Sequence, residues 1–192
     1  MTAQKTILFA FFLSLLALSY SPSALSYDDG ASYSKTIGGM VVGSIQLVDT
    51  LPVVGLGIGG GAFFDYRFND RFSLTVESFF TTQDGTGRSA GEGSIEFLCV
   101  PATTFKVYLA NANAKIDPYL GIGIGIYYLT EGSVANSTSG LGIGAQIEIG
   151  LDYDLANNLM LAVGGTYRSV GLVNGLTGAA NATTYMPYNL FG

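Results

Sequence analysis

Asp117-Pro-Tyr-Leu-Gly-Ile-Gly-Ile-Gly-Ile-Tyr-Tyr-Leu-Thr-Glu131 decides how this chain reads. Leu120, Ile122, Ile124, Ile126 and Tyr128 fall on one parity, and Gly121, Gly123, Gly125 and Tyr127 on the other. A period of two is that of a strand, because successive side chains point to opposite faces. One face is continuous and apolar, the other nearly bare backbone. A helix would scatter the isoleucines around its axis, and alternating glycines would weaken it further. The apolar run also reaches the length, about 9–11 residues, with which a tilted strand crosses a bilayer.

The pattern recurs along the chain. Thr36 to Leu47 is a Gly-interrupted β-run. In Val54 to Phe68, the apolar Val54, Leu56, Ile58, Ala62, Phe64, Tyr66 and Phe68 oppose Gly55, Gly57, Gly59, Gly61, Asp65 and Arg67. Asn69-Asp70 suits a tight turn. Phe72 to Phe80 places Phe72, Leu74, Val76 and Phe80 outside and Ser73, Thr75 and Glu77 inside. Ser94 to Ala110 aligns Ile95, Phe97, Cys99, Phe105, Val107 and Leu109 against Glu96, Lys106 and Tyr108, with a bulge expected at Pro101, which lacks a ladder donor. Leu141 to Leu155 opposes Leu141, Ile143, Ile147, Ile149, Leu151 and Tyr153 to Gly142, Gly144, Gln146, Glu148, Gly150 and Asp152. Ala156-Asn157-Asn158 turns the chain into Leu159 to Ser169, which carries Thr166 and Arg168 on its polar side. Thr183 to Phe191 is the last strand expected. Strands therefore recur at roughly twenty-residue spacing, about eight in all, and tight turns alternate with longer Gly/Ser connections.

Composition agrees. Of the 192 residues, 48% are hydrophobic and only 11% are charged, against about 25% charged in an average soluble domain. Beyond Ser26 no run reaches the roughly 18 apolar residues of a spanning helix, so a membrane reading leaves a closed β-barrel, in which every backbone group is paired. The length suits one domain. The formal net charge of −6, with few and scattered basic residues, argues against nucleic acid as a partner. Cys99 is the only cysteine, so an intrachain disulfide is excluded. Met1 to Ser26 has the form of a secretory signal: Lys5 in the n-region, an apolar stretch from Ile7 to Leu18, and small residues around a cut expected after Ser26. The organisation expected is a signal peptide over 1–26, a short leader over 27–35 and a barrel over 36–192.

Nearly every strand charge, namely Asp65, Arg67, Glu77, Glu96, Lys106, Glu148, Asp152 and Arg168, lies opposite the apolar face. A soluble barrel that binds an apolar ligand needs the inverse facing. Apolar faces this continuous on strand after strand overfill a small lumen, so they are assigned to lipid and the charges to the lumen. About eight strands leave an interior that side chains just fill, so the charge list reads as an internal ion network that plugs the barrel. A pore lining or small-ligand site is the sharper alternative. The glycine strip of Gly55 to Gly61, Gly121 to Gly125 and Gly142 to Gly144 invites packing by Phe63, Phe79, Tyr108 and Tyr127.

Several segments resemble a known family. Phe64-Asp65-Tyr66-Arg67-Phe68-Asn69-Asp70-Arg71-Phe72-Ser73-Leu74 resembles the "GYRFND-FSL" hairpin of small outer-membrane β-barrels, the superfamily of OmpA transmembrane domains, OmpX and opacity-type proteins. Pro118-Tyr119-Leu120-Gly121-Ile122-Gly123-Ile124-Gly125 is similar to their "PYVGAGVG" strand, and Leu155-Ala156-Asn157-Asn158-Leu159 to their "LTDNL" turn. The resemblance covers about Thr36 to Ser169. It implies an all-β, eight-stranded, antiparallel up-and-down transmembrane barrel in the bacterial outer membrane, with short periplasmic turns and longer outer loops. It implies as partners outer-membrane lipid and lipopolysaccharide, and the barrel-assembly machinery during insertion. It carries over no catalytic residue and names no extracellular ligand. One departure is the C-terminus, where Pro187 breaks the alternation and Gly192 follows Phe191.

Motifs with other readings are weak. Gly55-x-Gly57-x-x-Gly60 matches a dinucleotide fingerprint but lies inside an alternating strand with no helix after it. Asn136-Ser137-Thr138 and Asn181-Ala182-Thr183 match glycosylation sequons, which a bacterial chain does not use in this way. Asp84 to Glu92 lacks the acid spacing of a calcium loop. No cofactor or metal site is expected. The chain has no histidine, the usual general base for activating a nucleophile, and the enzymes of this barrel class resemble one another in relying on one. The sequence thus points to a non-enzymatic envelope protein, structural or surface-exposed. The alternatives are a minor channel or carrier for small or apolar solutes, and a soluble periplasmic barrel with a hydrophobic ligand.

Overall fold

The computed structural model describes residues 25–28, 34–46, 54–85, 94–110, 114–132, 137–156, 159–173, 184–185 and 187–192. Outside them lie most of the expected signal segment, the connections at 47–53, 86–93 and 133–136, the turn residues 111–113 and 157–158, and the segment at 174–183 with Asn181. The strands are β1 (Leu25–Asp28), β2 (Ser34–Gln46), β3 (Val54–Asn69), β4 (Phe72–Gly85), β5 (Ser94–Tyr108), β6 (Ile116–Gly132), β7 (Ser137–Ala156), β8 (Leu159–Leu172), β9 (Thr184–Tyr185) and β10 (Pro187–Phe191).

Each strand from β2 to β8 pairs antiparallel with the next. β10 lies between β8 and β2 and closes the ring. Eight strands therefore form the wall, in the order β2-β3-β4-β5-β6-β7-β8-β10. β9 extends the β10 line along β8, pairing Tyr185 with Val170. Closure satisfies backbone groups that an open sheet would leave bare in lipid. Several strands outrun the apolar pattern: β4 continues to Gly85 and β7 starts at Ser137. Polar residues there keep pairing with a neighbour, Gln83 with Ile95 for instance, and an apolar count does not register that.

The apolar face is outside. Ile122, Ile124, Ile143, Ile147 and Ile149 are at least 60% exposed, whereas Tyr119, Tyr127, Phe97 and Leu129 are fully buried. An apolar band of this extent marks a lipid-facing surface, so the facing is the reverse of what a soluble ligand-binding barrel needs.

One strand corrects the sequence reading. Between Cys99 and Ala102 the register of β5 shifts against both neighbours. Val100 and Pro101 are consecutive and both exposed. This is the bulge expected at Pro101, and its extra residue inverts the parity before it. Phe97 and Cys99, expected outside, are buried in the interior, and Glu96, expected in the lumen, is exposed on the outer surface.

The closing strand is short. Phe191 pairs with Gly164 of β8 and Val42 of β2. The Gly192 N–H donates to Val41 O at 3.1 Å, and the Val41 N–H donates to Gly192 O at 2.9 Å. Further along β2, β1 occupies Ser34 to Ile37, running in the same direction as β10. Gly38, Gly39 and Met40, between the two, have no closing-strand partner among the described residues.

Candidate functional site: the barrel interior

The interior divides into two parts. Toward the end with the longer connections, Val42, Phe79, Phe97, Cys99, Ala102, Tyr127, Leu129, Val170 and Leu172 form an apolar core. Phe97 stacks on Tyr127, ring centroids 5.2 Å apart, and tilts against Phe79 at 5.8 Å. These rings fit because the inward positions beside them are glycines. A Cβ on Gly125 would lie 2.6 Å from Tyr127 Oη, and one on Gly38 would lie 2.5 Å from the Phe63 ring. Tyr119 covers Gly150 in the same way, whereas a Cβ on Gly61 would meet the Ser78 carbonyl oxygen and Phe79 Cβ on the paired strand. Of the four aromatics expected over the glycine strip, Tyr127 lies against Gly125 and Gly144 and Phe79 beside Gly61, whereas Phe63 covers Gly38 of β2, outside the strip, and Tyr108 packs edge-on to Tyr119 with centroids 5.6 Å apart.

Below this core the charges assemble. Arg168, on β8, is 1% exposed. Its Nη2 lies 2.6 Å from Glu77 Oε1, its Nε donates to Gln146 Oε1 at 2.9 Å, and its Nη1 donates to Asn189 Oδ1. Gln146 Nε2 donates to Glu77 Oε1 at 3.2 Å and to Thr104 Oγ1, and Tyr127 Oη donates to Gln146 Oε1 at 2.8 Å. The guanidinium also sits over the Phe79 ring, 4.6 Å from its centroid. A second group joins Lys106 Nζ to Glu148 Oε1 at 3.5 Å, with Tyr119 Oη donating to the same oxygen at 2.7 Å. A third, at the short-turn end, joins Arg67 Nη2 to Asp117 Oδ2 at 2.6 Å. The same nitrogen donates to Asp70 O at 2.7 Å, and the guanidinium lies over the Tyr108 ring.

Seven of the eight charges expected in the lumen thus face the interior, and Glu96 does not. The sequence reading passed over Asp117, which shares the inward parity of Tyr119 and Gly121 and is buried. It also passed over Gln146 as a network member, although its inward place was evident. Five acids and three bases remain inside, and each base takes one acid. The two acids without a base in these three pairs are Asp65 and Asp152. Asp65 Oδ1 accepts from the Ser73 hydroxyl at 2.9 Å and from the Thr75 hydroxyl. Asp152 Oδ2 accepts from Tyr108 Oη at 2.8 Å. Its Oδ1 is buried with no hydrogen-bond partner among the described residues.

Comparisons with known proteins point the same way as the geometry. The family model described as "Outer membrane protein beta-barrel domain" matches residues 10–185. Among solved structures, the chain is similar to Neisserial surface protein A, with a TM-score of 0.55 and 13% identity over 84% of this chain and 96% of that one. The attachment invasion locus protein of Yersinia pestis aligns over 83% of this chain and 94% of its own, with 16% identity and a TM-score of 0.46. At such identity the neisserial match speaks for the fold alone. No curated protein sequence matches the chain.

Proposed function

This chain belongs to the outer membrane protein beta-barrel domain family, and from that premise we propose a sealed, non-enzymatic barrel with a structural or surface-exposed role in the envelope. The observation that carries this reading is the Arg168–Glu77 pair with Gln146 across the interior, overlain by Phe79, Phe97 and Tyr127. Buried, interlocked side chains leave little room for an aqueous path, as expected of a barrel this small. The absence of histidine supports the non-enzymatic part. In this reading the N-terminal segment directs export and the assembly machinery inserts the barrel. The isoleucine face then meets lipid and lipopolysaccharide, while the longer connections face outward. The neisserial neighbour is itself named a surface protein, which supports this reading.

Planar-bilayer recording of the refolded protein tests the sealed barrel. The expected result is no steady conductance. A steady cation-selective current would replace this reading with that of a minor channel.

A further inference from the structure

The three interior ion pairs leave Asp65 and Asp152 over. These two acids stand on β3 and β7, four places apart in the ring and so on opposite walls. Both border one internal cavity, together with Thr75, Lys106 and Glu148. Both are buried, at 6% and 5% exposure. A carboxylate held away from water is costly unless something of opposite charge reaches it.

We propose that the interior between Asp65 and Asp152 is a binding site for a monovalent metal cation. Three observations carry it. First, the charge count is unbalanced around this cavity: Lys106 is matched by Glu148 and Glu77 by Arg168, so Asp65 and Asp152 give it a surplus of negative charge. Second, Asp152 lines the cavity with an oxygen to spare. Tyr108 Oη donates to its Oδ2 at 2.8 Å, while its Oδ1 is buried without a hydrogen-bond partner among the described residues. Third, the carboxylates are fixed in place. The Ser73 and Thr75 hydroxyls hold Asp65 through Oδ1, as Tyr108 holds Asp152 through Oδ2. The donors around the cavity thus orient the two acids without neutralising them. A divalent ion fits less well. Calcium and magnesium take about six or more oxygen ligands, and no group of three or more metal-ligating side chains occurs among the described residues. The site needs no opening in the wall, because the cation is present while the barrel folds around it.

The proposal rests on the sealed interior, where bulk water does not screen the two acids. Conductance tests that reading and cation dependence tests this one, so the two fail separately. The full chain is refolded in a nonionic detergent, in sodium chloride or in N-methylglucamine chloride at equal ionic strength, and unfolded by heat. Replacing N-methylglucamine by sodium, from about 1 to about 300 mM, should raise Tm by about 4–8 °C. Millimolar calcium should add nothing further. Asp152→Asn removes one charged ligand and should lose most of the sodium dependence. Should that variant fail to fold, Asp65→Asn with the same expected loss takes its place. A Tm indifferent to sodium, or a sodium effect unchanged in a folded Asp→Asn variant, would overturn the proposal. So would a larger effect of calcium than of sodium, or an infrared band of a protonated carboxyl that disappears in that variant.

Discussion

Arg168 Nη2 and Glu77 Oε1 meet at 2.6 Å across the barrel, from positions 91 residues apart in the chain. In the ring β2-β3-β4-β5-β6-β7-β8-β10, β4 and β8 stand four places apart, on opposite walls. Their contact spans the lumen, and both side chains are almost wholly withdrawn from solvent, at 1% and 6%. A pair of that kind ties its two walls together, because parting it leaves each charge buried alone.

Removing one partner should therefore be costly. Arg168→Met leaves Glu77 with Gln146 as its remaining donor and is expected to destabilise the refolded barrel by about 3–5 kcal/mol. Adding Glu77→Leu should recover most of that loss, since the uncompensated charge goes with it. Arg67→Ala should cost less, because Arg67 is 23% exposed and its partner lies at the short-turn end. Urea unfolding of the four proteins measures the ranking. Equal losses for Arg168→Met and Arg67→Ala would refute this account of the interior.

Facing gives the second expectation. Ile124 is 69% exposed and near the middle of its strand, so Ile124→Arg should cost about 2–4 kcal/mol in a bilayer. Glu96→Ala should be nearly silent, because the bulge puts Glu96 outside the ion network. Spin labels at Ile124 and Ile147 should report lipid. A label at Ile124 that reports water would invert the assignment.

Among the strand glycines, size should matter by face, Gly125 lying inward and Gly43 on the outward parity of Val41 and Ile45. Gly125→Ala sets a methyl 2.6 Å from Tyr127 Oη and 2.8 Å from Ala102 Cβ, while Gly43→Ala meets nothing nearer than 3.9 Å. Overpacking at Gly125 should cost about 1–3 kcal/mol. The same change at Gly43 should be near neutral, or stabilising through the unfolded chain. Thermal unfolding of the two variants decides it, and equal effects would show that the aromatic does not fill the space above Gly125.

Cys99 reads the bulge directly. It is fully buried, in the same core as Phe97 and Tyr127. In the folded barrel it should resist both water-soluble maleimides and thiol reagents dissolved in the lipid, and it should react after unfolding in urea. Labelling from the lipid phase would mean that Cys99 faces outward and that the parity of β5 runs unbroken through Pro101.

The sequence by itself determined the barrel and most of its facing. Alternation at i, i+2 is written residue by residue in runs such as Leu120 to Tyr128, and a strand's two faces need no distant partner to be distinguished. It also marked Pro101 as the site of a bulge, because a missing N–H is a local fact. What the bulge did to Glu96, Phe97 and Cys99 was decided by the tertiary structure, since parity before an inserted residue is fixed only when both neighbouring strands hold the register. The pairing of charges was likewise decided in three dimensions. Arg168 meets Glu77, and Arg67 meets Asp117, because barrel closure and strand stagger bring distant walls together. Local periodicity records which way a side chain points, whereas only the closed ring decides what it points at.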